Sequence, residues 1–262
     1  MKPHSAFVFT GLSSVAVLTL FCLIIFPQAW DWLLPLHFAA SLPLVYSCVR
    51  PNCAWFGPVY RRFCTNQKEV WLTIDDGFSS DDTSKIIQIL KRFDAKASFF
   101  VIGQRVEKHG ELLRTLVREG LTIENHSESH AVAWFWAFPS HMALREIQRG
   151  MEKISMATGC RPVCFRAPAG MANFFVHRAV HKMGQKLVGW SARGYDTSTK
   201  DADEIVRRIY KNIHPGTIVL LHEQCCLARV NASGISMLEL LLTQLKNDGY
   251  RCIIPASIDL LE

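Results

Sequence analysis

Val70-Trp71-Leu72-Thr73-Ile74-Asp75-Asp76-Gly77 is the stretch from which the fold of this chain can be read. Five consecutive β-formers or apolar residues end on two carboxylates and a glycine. A short apolar run closed by a turn signal reads as a buried strand. The run is too short for a helix of ordinary length, and a strand without polar alternation is one covered on both faces.

Runs of the same kind recur downstream, at 97–102, 121–124, 163–166, 186–190, 217–221 and 251–254. Amphipathic segments of helical period lie between them, at 84–93, 111–119, 141–158, 173–183, 202–212 and 236–247. Gly120, Gly159, Gly184 and Gly249 stand where helix C-termini are expected. Seven strands with helical crossovers imply an α/β fold with a parallel sheet, expected as a distorted seven-stranded (β/α) barrel. The polar residues Asp75, Asp76, His126, His130, Arg166, Asp196 and His222 all follow strands. Strand C-termini share one face of such a barrel, so these scattered residues are expected to converge.

Upstream, the sequence changes character. Residues 6–26 carry no charge, about the ~20 residues that a spanning helix needs. No A-x-A cleavage site follows Phe26, which favours a retained anchor over a cleaved signal. A second uncharged stretch, 32–49, contains His37, Pro35 and Pro43, with Trp30 and Trp32 at its start. The reading is an N-terminal transmembrane helical hairpin; the alternative is one spanning helix followed by an interfacial segment. Lys2 precedes the hairpin, and Arg50, Arg61, Arg62 and Lys68 follow it, while the connection at 27–31 has no positive charge. If both segments span, both ends lie in the cytoplasm. The expected organisation is a membrane anchor at 1–50, a linker at 51–67 and a catalytic domain at 68–262. The expected location is a bacterial-type inner membrane, with the cytoplasmic side favoured over the periplasmic or extracellular side.

The net charge of +6 is spread without blocks, and no aromatic–basic interleaving occurs. Such a balance suits a bilayer with anionic lipid and gives no reason to expect nucleic acid. The nine cysteines form no disulfide framework and are expected as free thiols. Free thiols lean towards a reducing compartment.

The polar motifs are ambiguous singly. Asp75-Asp76-Gly77 reads as a metal ligand beside a proton acceptor, or as a turn. His126-Ser127-Glu128-Ser129-His130 puts two imidazoles on one face if the segment is helical. With an Asp from the strand region they would form a His2Asp site with open coordination. A strand-end Arg166 would need a carboxylate partner, either to hold Asp75 or in a purely structural pair. His222, after the most apolar strand, reads as a general acid or as a core histidine.

Together these motifs resemble the polysaccharide deacetylases, a carbohydrate esterase group, over roughly residues 68–262. The resemblance rests on Thr-Ile-Asp-Asp-Gly, Asn-His-Ser-x-x-His, Phe-Arg-x-Pro-x-Gly and Leu-Leu-His, in the family's order. It implies a divalent metal, most often zinc, on Asp76, His126 and His130. It also implies Asp75 as base, Arg166 as its tether, His222 as general acid and Asp196 as the group orienting that histidine. A backbone N–H near Ala169 would serve the oxyanion. The implied reaction is hydrolysis of the acyl group of an N-acylated amino sugar glycan, acetyl in the first instance. Deformylation of a lipid-linked amino sugar and non-catalytic carbohydrate binding are the alternatives. A metal nuclease or phosphatase would be expected to show further carboxylates for a second metal. Arg193, Thr197 and Ala169 depart from the residues common in the family at those positions.

Overall fold

The computed structural model of the chain describes residues 3–78, 80–256 and 259–262. Lys2, the basic residue expected before the first helix, lies outside them. Helix α1 (Pro3–Ile25) is followed by a single 3-10 turn (Pro27–Ala29) and α2 (Trp30–Val49). The two fold back on each other. The Thr19 hydroxyl meets His37 Nδ1 at 3.0 Å, and the Trp30 indole N–H donates to the Leu23 carbonyl at 2.7 Å. Much of their apolar surface stays uncovered, including Val17, Leu18, Ile24, Trp32, Phe38 and Leu42.

The remaining chain winds helices around one curled sheet. In order it gives β1 (Arg62–Phe63), β2 (Glu69–Asp75), α3 (Ser80–Arg92), β3 (Ala97–Val101), α4 (Gly103–Val106), α5 (Gly110–Arg118) and β4 (Thr122–Asn125). Then come α6 (Ser140–Thr158), β5 (Cys164–Phe165), α7 (Phe174–Lys182), β6 (Lys186–Leu187), β7 (Ala192–Arg193) and α8 (Ala202–Tyr210). The last elements are β8 (Thr217–His222), α9 (Glu223–Ala228), α10 (Met237–Asn247), β9 (Arg251–Cys252) and β10 (Leu260–Leu261). The parallel part runs β8-β2-β3-β4-β5-β6, with β7 beside β8 and β9 beside β2.

All seven expected strands and six expected helices are present, but the sheet holds more than seven strands. The additions β1, β7 and β10 are two residues long and, unlike β5, β6 and β9, lie in no apolar run of strand length. Segment 51–67, expected as a linker, contributes β1 and one further bridge to the sheet. Arg62 pairs with Thr217 of β8 and with Leu261 of β10, both antiparallel. Two residues earlier, Tyr60 bridges to Val188 just past β6. One short segment therefore ties the two ends of the curled parallel sheet together. The fit demands Gly216: its φ is +80°, and a Cβ there would stand 2.0 Å from the Phe63 carbonyl oxygen.

Period-two geometry sorts the β2 side chains. Val70, Leu72 and Ile74 face outward into a core shared with α3, α5, α8 and α10. Trp71, Thr73 and Asp75 face the barrel interior, where Trp71 packs with Phe100 and Ile218. Each apolar side chain fully buried this way is worth ~1.5–3 kcal/mol. The inward row starts apolar and ends on a carboxylate, so the barrel is filled at one end and polar at the other.

Candidate active site

Asp75 is the last residue of β2 and is 3% exposed. Asp76 takes φ 77°, which breaks the strand alternation and brings a second carboxyl to the same place. Asp75 Oδ2 lies 3.7 Å, and Asp76 Oδ1 3.6 Å, from Nε2 of His126. His130 Nε2 approaches the same Asp76 oxygen at 3.2 Å.

The two histidines do not lie on a helix. Residues 126–131 form an irregular loop, because Ser127 (φ 66°) and His130 (φ 54°) both adopt left-handed backbone. Local hydrogen bonds hold that loop in place of helical ones. The Asn125 side chain accepts from the Ser127 N–H at 3.1 Å, and the Ser127 hydroxyl accepts from the His130 N–H at 3.1 Å. The imidazoles converge all the same, with ring centroids 4.8 Å apart.

Asp76, His126 and His130 place one donor atom each within 4.8 Å of one another. Tetrahedral ligands at ~2.0–2.1 Å from an ion stand ~3.4 Å apart, close to the 3.2 and 3.6 Å separations here. Asp76 Oδ1 is buried and makes no well-aligned hydrogen bond, as an oxygen aimed at a cation would. His126 Nδ1 is 2.8 Å from the Arg166 carbonyl, which can only accept, so Nδ1 carries the proton and Nε2 is free to ligate. Burial, aided by His130 and opposed by Asp76, pushes His126 down to about 3; burial also lowers His130. Both imidazoles are thus neutral, the form that binds metal. The donor set fits one divalent ion.

Arg166 follows β5 and is fully buried. Its Nη1 donates to Asp75 Oδ1 at 2.7 Å and to the Thr73 hydroxyl at 2.7 Å. Its Nη2 and Nε donate to the Gly189 and Val188 carbonyls at 2.8 and 3.2 Å. The guanidinium also lies 4.3 Å from the Phe100 ring centroid. Burial raises the Asp75 pKa above the ordinary carboxylate value, with Arg166 pulling the other way.

His222 ends β8 and is the register partner of Asp75 on the adjacent parallel strand, so both project to one side. Its Nδ1 meets Asp196 Oδ1 at 2.9 Å, and its backbone N–H donates to Asp196 Oδ2 at 2.8 Å. Burial works against the charged ring, but the Asp196 bond and charge, with Asp75 and Asp76 behind them, prevail and raise it to about 8. Ala169 sits three residues past Arg166 in a 3-10 turn, at φ 52°. That turn bonds through the N–H groups of Gly170 and Met171, which leaves its tip exposed.

Three further residues support these groups. Thr73 is legible in the sequence, since it shares the inward parity of Asp75. Arg105, which donates to the Asp76 carbonyl, and Arg229, whose Nε donates to the Asp196 carbonyl at 3.0 Å, carry no local signal. Only the tertiary fold brings them there.

The chain belongs to the polysaccharide deacetylase family, whose profile matches residues 62–188. A peptidoglycan-N-acetylglucosamine deacetylase of Bacillus cereus is 28% identical over 193 residues, 72% of this chain and 86% of that protein. An uncharacterized 30.6 kDa protein of Geobacillus stearothermophilus is 30% identical over 190 residues, 71% of this chain and 68% of the other. Among solved structures, a mutant of a CE4 family pseudoenzyme with restored enzymatic activity superposes with a TM-score of 0.64 at 28% identity. That match covers 73% of this chain and 67% of the other. The fold is accordingly the CE4 deacetylase fold, an α/β architecture around a curled sheet.

The buried pair yields a stability prediction. Arg166→Leu leaves a buried carboxylate uncompensated and should cost ~3–5 kcal/mol in urea unfolding. Adding Asp75→Asn should recover part of that loss, because the stranded charge is gone. A double variant no more stable than Arg166→Leu alone would show that the loss does not come from the stranded carboxylate.

Proposed function

We propose that this protein is a metal-dependent hydrolase that removes the N-acetyl group of an amino sugar in a glycan. The named relative acts on peptidoglycan N-acetylglucosamine, which supports an N-acylated glycan as substrate. The same fold also occurs as a pseudoenzyme, so architecture alone does not carry the proposal. The observation that carries it is the arrangement of Asp75. It is held by Arg166 at 2.7 Å, lies 3.7 Å from His126 of the metal-suited triad, and stands opposite His222 on the next strand. A purely sugar-binding site has no use for a buried, tethered base between a metal-suited triad and a protonated imidazole.

In this reading Asp76, His126 and His130 hold one divalent ion, with zinc preferred by two imidazoles and a carboxylate. Such an ion supplies Lewis-acid polarisation of the amide carbonyl and eases deprotonation of water. Asp75 accepts the proton of the attacking water, and its raised pKa suits that task. Arg166 fixes the carboxyl so that one oxygen stays committed to the guanidinium. The N–H of Ala169 donates to the developing oxyanion. His222, oriented by Asp196, gives its proton to the leaving nitrogen, producing acetate and a free amine.

Substitution separates the base from the ligands. Asp75→Asn should lower turnover by roughly 10²–10⁴ or more while the metal content stays stoichiometric. His126→Ala should lose metal and activity together. Released acid from acetylated and formylated amino sugars, read beside elemental analysis, checks both. Near wild-type turnover in Asp75→Asn would remove it as the base.

The pH profile tests the acid. His222 must be protonated, so the rate falls as pH rises through its pKa. Asp196→Asn withdraws the charge that raises that pKa, so the alkaline limb should move to lower pH. An unmoved limb would mean that another group sets it.

The anchor belongs to the same proposal. The 3-10 turn and α2 together make a 23-residue apolar span, 27–49, of mean hydropathy 1.4, and α1 adds a shorter apolar stretch at 13–25. We read the pair as a membrane hairpin with the barrel on the cytoplasmic side, supported by the basic flank after α2 and by nine unpaired cysteines. A fluorescent reporter fused after Glu262 should be active in the cytoplasm. Alkaline phosphatase activity from the same position would put the barrel outside.

A further inference from the structure

The basic flank does more than bias orientation. Arg50 is the first residue after α2, and Arg61 and Arg62 lead into and begin β1. Arg62 lies twelve positions after Arg50, yet all three line one cavity of about 560 Å³ where the hairpin meets the barrel. Trp55 and Glu262 line it as well.

This concavity is built from fixed parts. Arg61 and Arg62 are held by their backbones, through the Arg61 N–H to the Leu261 carbonyl at 2.9 Å and the pairing of Arg62 with Thr217. Asn52 ties the start of the segment to the barrel, its Nδ2 donating to the Trp190 carbonyl at 3.1 Å. Arg50 rests on the Tyr46 ring, 5.6 Å from its centroid. None of the three guanidiniums forms an ion pair with a carboxylate among the described residues. Glu262 is the sole acidic side chain in the lining. Three guanidiniums facing a single carboxylate in one hollow leave an excess of positive charge that suits an anion, and guanidinium pairs with phosphate bidentately. The hollow opens at the end of a helix whose last three turns bear no charge, where the phosphates of a bilayer leaflet would lie.

We infer that the Arg50–Arg61–Arg62 cavity binds the phosphate of an anionic lipid headgroup, seating the barrel on the membrane surface. The inference rests on the hairpin being a membrane anchor. The lipid chains run along the exposed apolar flank of α2, and the phosphate sits among the arginines. Neutral headgroups that carry a choline beside the phosphate meet three positive charges and are disfavoured.

The test uses the full chain in a neutral detergent and follows its unfolding midpoint during titration. The probes are dihexanoyl phosphatidylglycerol, dihexanoyl phosphatidylcholine and inorganic phosphate. Phosphatidylglycerol should stabilise saturably, with phosphatidylcholine and inorganic phosphate far weaker. Arg61→Gln/Arg62→Gln should weaken phosphatidylglycerol about 25-fold, about fivefold per guanidinium, with the ligand-free midpoint unchanged. Equal effects of the two lipids, equal binding of inorganic phosphate, or an unaffected double variant would each overturn the lipid site. Carbonate extraction of membranes reports on the anchor separately. A chain released by carbonate but still selective for phosphatidylglycerol would refute the anchor and leave the site standing.

Discussion

A buried guanidinium sits at the polar end of this barrel, and the rest of the site is arranged around it. Burying Arg166 is affordable only because four of its N–H bonds are directed at acceptors: Asp75, Thr73 and the carbonyls of Val188 and Gly189. Those acceptors come from β2 and from the segment after β6, so one side chain cross-links opposite walls of the sheet. The carbonyl of Arg166 itself fixes the tautomer of His126. The proposed base, the metal-suited triad and the sheet curvature therefore depend on a single residue. Its loss would be felt in stability as well as in chemistry.

Backbone strain concentrates where the chemistry is proposed. Seven described non-glycine residues have positive φ, and Asp76, Ser127, His130, Ala169 and Tyr195 are five of them. Each is a proposed ligand, a neighbour of one, or part of a loop presenting a proposed group. Left-handed backbone costs of order 1–3 kcal/mol at such a position and persists only when its surroundings enforce it. Here the enforcement is visible in the Asn125 and Ser127 hydrogen bonds. The strain lets residues adjacent in sequence, such as Asp75 and Asp76, face one point in space.

Much of this is readable from the chain, and the limits have physical causes. Long apolar runs specify strands by themselves, so the expected bounds of β2, β3, β4 and β8 agree with the observed ones within a residue or two. Strands such as β1 that lie in no apolar run are held by long-range pairing, and nothing local marks them; the segment that closes the sheet reads as a linker. The spacing of His126 and His130 suggests a helix and gives the right partnership for the wrong reason, since a strained loop makes the same approach. The role of Asp196 rests on resemblance alone in the sequence, and its two contacts to His222 give that reading a geometry. Arg105 and Arg229 escape because a single arginine on an exposed or half-exposed element looks like any other.

The central claim is that the tethered Asp75 and the Asp–His–His cluster form a working hydrolytic site. Its most direct test is product analysis of the zinc-loaded full chain with an N-acetylated chitooligosaccharide, counting acetate and new free amines in the same sample. The account predicts catalytic release of both in equal amounts, abolished when the metal is chelated and restored when it is returned. Fully loaded protein that binds the oligosaccharide and liberates neither product would contradict it, and would place this chain with the fold's inactive members.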